Sequence, residues 1–167
     1  MLDVACGNGR HARLFADRGN PVTAVDIDLR GVADLAGHGS VDLVEADLEG
    51  APWPFGDRRF GAVIVANYLH RPLLPVLRSA IEPGGVVIYE TFAVGNQRFG
   101  KPSSPAYLLQ PGELLSWARP DLQVVAYEHG EIASPRAAVV QRLAAVRDAD
   151  PAPDLDGQPN PWPLPSA

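Results

Sequence analysis

The sequence contains a single cysteine, Cys6, which excludes an internal disulfide and fits a reducing, cytoplasmic setting. Its four histidines, His11, His38, His70 and His129, are scattered without ligand spacing, so no metal site is expected. Positive charge is also scarce. Fourteen Lys and Arg stand against 20 Asp and Glu, a formal net charge of -6. A general nucleic-acid binder needs a basic footprint, so a nucleic-acid partner is not expected. No apolar run reaches the ~18 residues of a membrane span. No charged-then-apolar leader precedes the first strand, so neither a signal peptide nor membrane attachment is expected.

What remains is a chain of 167 residues, 46% hydrophobic, suited to one domain with one core. Seventeen prolines and 16 glycines gather in loops and at the C-terminal end. Six of those prolines fall among the last 20 residues, which predicts one folded domain over 1–147 and a Pro-rich disordered tail over 148–167.

Apolar runs of strand length alternate with helical patterns, which argues for an α/β protein built from parallel βαβ units. The expected strands are Leu2–Ala5, Val22–Val25, Val41–Glu45, Phe60–Ala66 and Val86–Thr91. Helices are expected over Arg10–Arg18, Leu29–Leu35, Leu73–Ile81 and Gly112–Ala118. Glu82–Gly85 reads as a turn, and Ala93–Gln110 as a long irregular segment that could form a lid. Leu122–Tyr127 and Ala137–Val146 have no helix between them, so they read as an antiparallel pair.

The polar residues at strand ends organise the rest. Leu2-Asp3-Val4-Ala5-Cys6-Gly7-Asn8-Gly9-Arg10 is a buried strand entering a glycine turn that opens a helix. Without Cβ atoms, Gly7 and Gly9 let a ligand approach the main chain. Asp26 stands 17 residues after Gly9 at the end of the second strand, where an ionised carboxylate can accept from a vicinal diol. Asp47 follows the third strand and Asn67 closes the fourth. Ligands bind at this edge of open α/β sheets. Gly7-Asn8-Gly9-Arg10-His11-Ala12 also fits G-x-G-x-x-A, so an NAD(P)-binding Rossmann domain stays open as a less favoured alternative.

The carboxylate, small-x-Gly-x-Gly pattern of Asp3, Ala5, Gly7 and Gly9, followed by Asp26 and Asp47, resembles the class I S-adenosylmethionine-dependent methyltransferases. Within that class, the opening run and the small single domain look most like the tellurite-resistance-type small-molecule enzymes. The resemblance implies a Rossmann-like, doubly wound sheet of seven strands in the order 3-2-1-4-5-7-6, with the last strand antiparallel. It implies S-adenosyl-L-methionine as cofactor and methyl transfer to a small-molecule acceptor. By the same resemblance Asp3, Ala5, Cys6, Gly7 and Gly9 serve the methionine portion. Asp26 and Ile27 serve the ribose side, Asp47 and Leu48 the adenine, and Asn67 the methyl donor. The motif normally follows an N-terminal segment that helps cover the cofactor, yet here it begins at residue 2. That segment is therefore expected to be missing. A non-catalytic cofactor-binding module, or a truncated inactive methyltransferase, is the alternative this leaves open.

Catalytic assignments are fainter, because a methyl displacement mainly requires alignment and exclusion of water. His70, Tyr68 and Arg98 are the candidates, with Asn67, Arg71, Tyr89, Glu90 and Tyr107 in the same region. Arg71 and Arg98 could hold an anionic acceptor. Cys6 reads as a small packing residue, as do Trp53 and Phe55, and His11 as a helix-face residue. The oligomeric state is left open.

Overall fold

The computed structural model describes residues 1–119 and 121–148. The expected disordered tail, except for Asp148, lies outside the described residues. Seven strands form one sheet in the order β3-β2-β1-β4-β5-β7-β6. They are β1 (Leu2–Val4), β2 (Val22–Asp26), β3 (Val41–Glu45), β4 (Phe60–Ala66), β5 (Ile81–Phe92), β6 (Gln123–Ile132) and β7 (Ala138–Val146). β1 to β5 run parallel, whereas β7 is antiparallel to both β5 and β6. The fold expected from the resemblance is therefore the fold observed.

β1 lies at the centre because all three of its side chains are buried. Leu2 pairs with Thr23 of β2 on one side and Val63 of β4 on the other. Strand alternation then sends its residues to different faces. Leu2 and Val4 join the core that contains Val63, Val87, Tyr89 and Leu143. Helices α2 (Leu74–Ser79) and α3 (Glu113–Ala118) close that side through Leu77, Leu114 and Trp117. Asp3 points to the other face, under α1 (Arg10–Ala16). There Ala12 and Ala16 pack with Val22, Ala24, Val32 and Leu35. Trp53 and Phe55 pack edge to face, 5.0 Å between centroids, against the first core, as packing residues.

Three local expectations change. Leu29–Leu35 is a 3-10 turn kinked at Val32 rather than an α-helix. Gly31 explains the tight approach: a Cβ there would lie 2.8 Å from the Gly7 carbonyl oxygen. The helix expected over Leu73–Ile81 divides into a 3-10 turn, Arg71–Leu73, and α2. Ile81 belongs to β5 instead. The turn Glu82–Gly85 is absorbed into that strand as a bulge, since Phe60 pairs with Ile81 while Ala62 pairs with Val86. Gly84 takes the left-handed conformation this needs, with φ +78°.

β6 also continues past Tyr127 to Ile132. Glu128, His129 and Glu131 are exposed on an edge strand, so no apolar alternation betrays their pairing with β7. The segment Ala93–Gln110 is irregular but tied down. Buried Asn96 donates to the Pro102 carbonyl at 2.9 Å and accepts from the Val139 N–H at 3.2 Å. Leu109 N–H bonds Phe92 O at 2.9 Å. Among the described residues no helix is long and apolar enough to cross a membrane.

Candidate functional site

The strand order reverses between β1 and β4, and the carboxyl ends of these strands frame two clefts that meet at Ala5. One cleft, of about 430 Å³, lies over β2 and β3 and is lined by Asp26, Ile27, Asp47, Leu48, Glu49 and Tyr68. The other, of about 330 Å³, is lined by Asp3, Cys6, Gly7, Arg10, His11 and Asn67. Every residue expected to hold the cofactor lines one cleft or the other, except Gly9, which lies just behind.

The glycine turn is shaped by its backbone. Ala5, Gly7 and Gly9 have φ of +51°, +53° and +66°. Glycine adopts such angles freely, whereas Ala5 carries strain of about 1–2 kcal/mol. Asn67, with φ +57°, is the second non-glycine residue in this region of conformational space, at the end of β4. The two glycines differ in what surrounds them. A Cβ on Gly7 would meet nothing within 4 Å, while one on Gly9 would lie 2.3 Å from Val32 Cγ1. Gly7 therefore faces open space and Gly9 faces the core.

Asp3 is 2% exposed, and its Oδ2 accepts the Ala12 N–H at 2.9 Å. It supplies the cap that Gly9, the N-cap of α1, lacks. Burial pushes its carboxyl up to about 6, against the Ala12 hydrogen bond, which acts downward. Burial and the neighbouring Asp3 and Asp26 carboxylates push the Cys6 thiol up to about 12, so Cys6 is a packing thiol and not a thiolate at neutral pH.

Asp26 lines the first cleft and bonds to the main chain of the second. Its Oδ2 accepts the Gly7 N–H at 2.7 Å and its Oδ1 the Asp28 N–H at 3.1 Å. A carboxylate has about four acceptor sites, so each oxygen keeps capacity for a further donor. Asp28 itself acts as a cap, accepting the Arg30 N–H at 3.0 Å. Asp47 Oδ1 accepts the N–H groups of Glu49 and Gly50 at 2.9 and 3.0 Å, and these hold its carboxyl below the usual range.

The catalytic candidates separate by place. Asn67 and Tyr68 line the clefts. His70 lies outside both, its Nδ1 3.8 Å from Glu49 Oε2. Arg71 is engaged structurally. It makes a two-pronged bond to Glu113 at 2.7 and 2.9 Å and donates to the carbonyls of Ala106 and Leu108. This is a correction to its reading as an anion holder, since four of its five N–H donors, and both that face Glu113 as a fork, are already engaged. Arg98 bonds Glu131 at 3.0 Å and its own loop at Gly95 O, outside both clefts. Arg71 and Asn96 tie Ala93–Gln110 to the body of the fold, so that in this structure the segment forms a strut. Glu90 pairs with Arg142, Tyr107 is exposed, and Tyr89 is buried beneath Tyr68.

Arg10 and Glu49 are cleft residues that sequence reasoning did not place in the site, whereas His11 lies beside the glycine turn as its reading near the cofactor implied. For Arg10 and Glu49, adjacency to the glycine turn and to Asp47 is the signal that could have found them. Burial, then the Arg10 guanidinium, lowers the His11 pKa. His11 is therefore neutral at pH 7, and its 3.9 Å approach to Asp3 is not an ion pair there.

The residues present fit S-adenosylmethionine. Gly7 leaves an open cradle, Asp26 offers free acceptor capacity in the first cleft, and the Tyr68 hydroxyl is buried without a hydrogen-bond partner of good geometry among the described residues. Comparison with known proteins agrees. Residues 1–85 match a family described as a methyltransferase domain. The ubiquinone/menaquinone biosynthesis C-methyltransferase UbiE of Bordetella avium is 34% identical over 128 residues, covering 70% of this chain and 48% of that protein. The chain thus spans about half the length of this curated relative. The structure of TehB from Haemophilus influenzae shares the fold with TM-score 0.70 and 14% identity, covering 88% of this chain and 57% of that one. So does 1,6-didemethyltoxoflavin-N1-methyltransferase from Burkholderia thailandensis, with TM-score 0.65 and 20% identity, covering 88% and 70%. With the glycine turn, the ordered carboxylates and the seven-stranded topology, the chain belongs to the methyltransferase-domain family, the class I S-adenosylmethionine-dependent methyltransferases.

Proposed function

We propose that this chain binds S-adenosylmethionine across the two clefts and transfers its methyl group to a small-molecule acceptor in the cytoplasm. The observation that carries the reading is Asp26, which lines the first cleft and whose carboxylate is fixed by the N–H of Gly7, a residue lining the second. From there it accepts the ribose hydroxyls. Ile27, 64% exposed, offers an apolar side chain to the adenine ring, beside the Asp47 carboxylate and the main chain of Leu48. The open main chain at Ala5, Cys6 and Gly7 takes the methionine portion, and Asp3 holds that turn against α1.

When bound, the cofactor supplies an electrophilic methyl group on a sulfonium leaving group. The protein's part is to align donor and acceptor and to exclude water, and a general base is needed only where the acceptor atom must lose a proton. Asn67, at the end of β4, orients the donor end of the site. A small acceptor is supported by the relatives' names, one a ubiquinone/menaquinone biosynthesis enzyme and one acting on 1,6-didemethyltoxoflavin. The net charge of -6 favours that class over nucleic acid. The single cysteine supports the cytoplasmic setting.

Calorimetry with S-adenosylhomocysteine tests the binding half. The native chain binds and Asp26→Ala lowers affinity at least about 30-fold, since a charge-assisted pair is lost. A folded native sample that does not bind overturns the reading. Release of S-adenosylhomocysteine with a panel of small acceptors tests transfer. Binding with no turnover over the whole panel assigns the chain to a binding module instead.

A further inference from the structure

Tyr89 is fully buried in β5, yet its hydroxyl does not serve the core. It donates to the main-chain oxygen of Tyr68 at 3.1 Å. The residue before Tyr68, the strained Asn67, is held from the same strand, because its N–H donates to Glu90 O at 2.8 Å. Two consecutive residues of β5 thus fix the corner by which the chain leaves β4. Tyr89 is itself held by Trp117, edge to face at 5.6 Å, and the indole N–H of Trp117 donates to Leu74 O at 2.8 Å.

The side chain carried by that corner lines the cleft of Asp26 and Asp47. Its hydroxyl is shielded from water and has no hydrogen-bond partner among the described residues. A buried hydroxyl left alone is unfavourable until something supplies an acceptor. Burial, then the nearby Glu49 and Asp47 carboxylates, push its pKa up to about 12, and Glu49 is a distant acceptor that falls short of hydrogen-bond geometry, so the hydroxyl remains a donor at neutral pH. The nucleoside half of the cofactor offers acceptors in the unsubstituted ring nitrogens and the ribose oxygens, and no other tyrosine lines this cleft.

We propose that Tyr68 is a specificity-determining residue that donates its hydroxyl proton in a hydrogen bond to the nucleoside half of the ligand, and that Tyr89 is the positioning residue that holds it there. This rests on the binding reading above. The relay runs from Trp117 through Tyr89 to the Tyr68 main chain, and then to the ligand. It makes the affinity of the first cleft depend on a hydroxyl that never touches the ligand.

The test is a double-mutant cycle read by calorimetry with S-adenosylhomocysteine and, separately, with adenosine, which carries the nucleoside half alone. Tyr68→Phe lowers affinity about tenfold for both probes. Tyr89→Phe lowers it about threefold, and the double variant binds as Tyr68→Phe does, within a factor of two. Tyr127 is the control: its hydroxyl is also buried and unpartnered, but it lines neither cleft, so Tyr127→Phe leaves both affinities unchanged. Native binding with no loss in Tyr68→Phe overturns the proposal while leaving the cofactor reading intact. A loss for S-adenosylhomocysteine but not adenosine overturns the nucleoside assignment. If the two losses multiply in the double variant, or the Tyr89→Phe loss follows its thermal midpoint alone, Tyr89 is structural and the relay fails. Should Tyr89→Phe not fold, the two Tyr68→Phe titrations decide the specificity claim without it. No native binding to either probe is a failure of the function itself.

Discussion

The carboxylate of Asp3 caps the helix that follows the glycine turn, accepting the N–H of Ala12 at 2.9 Å from a position 2% exposed. That single bond joins the central strand to α1 and sets the turn between them.

Its charge state makes stability depend on pH. The Asp3 carboxyl is ordinarily at 3.8 and stands at about 6 in the fold. Between those values the folded chain holds the proton more tightly than the unfolded one, so this contribution to stability falls as pH rises. It is fully present below about pH 4 and lost above about pH 6, a change of roughly 3 kcal/mol. Asp3→Asn keeps an oxygen for Ala12 and has no proton to lose. Thermal melts of both proteins therefore diverge in favour of Asn from pH 4 to 6 and run parallel above 7. A constant difference across that range contradicts the assignment.

Ala5→Gly relieves the strain at φ +51°. The expected gain is about 1 kcal/mol, seen as a higher denaturant midpoint with an unchanged slope. Since the proposed binding mode uses only main-chain groups of residue 5, affinity for S-adenosylhomocysteine should stay within about twofold.

The two turn glycines should fail in different ways. Gly9→Ala drives a Cβ to 2.3 Å from Val32 and should lower stability by about 3 kcal/mol or more. Gly7→Ala meets open space and loses only about 1–2 kcal/mol to backbone strain. Its methyl group, however, enters the cleft, so it should abolish binding of S-adenosylhomocysteine while the chain still melts cooperatively. Equal binding in Gly7→Ala and native protein would be the contrary result.

Arg71→Lys should loosen the strut over Ala93–Gln110. A lysine has one point-like head and cannot reproduce the fork to Glu113 and the bonds to Ala106 and Leu108. Removing one partner of this half-buried network should cost about 2 kcal/mol. Hydrogen exchange at residues 106–110 should quicken well beyond that of β1. Uniform exchange across the chain would show that Arg71 acts globally instead.

Much of this architecture was legible because it is local. The run Phe60–Ala66 is apolar throughout, as a strand covered on both faces must be. Gly7 and Gly9 announced a turn open to close approach by a ligand, and Asp26 and Asp47 each followed an apolar run. The bulge in β5 was not legible, since Glu82-Pro83-Gly84-Gly85 carries the chemistry of a turn whether or not its neighbours pair. Nor was the outer half of β6, where exposed polar residues pair by register alone. Gly31 gave no signal, because its reason lies in the backbone of Gly7, far away in the chain.

The sequence by itself determined the strand inventory, the glycine turn and the succession of carboxylates at strand ends, because periodicity and turn chemistry act over a few residues. Only the tertiary structure decided which polar side chains reach the site. Arg71 meets Glu113 42 residues away, and Arg98 meets Glu131 33 residues away, so both are held outside the clefts. Tyr89 comes to lie under Tyr68 because β5 stacks beside β4 in register. Long-range pairing follows the order of strands in the sheet, and that order exists only once the chain has folded.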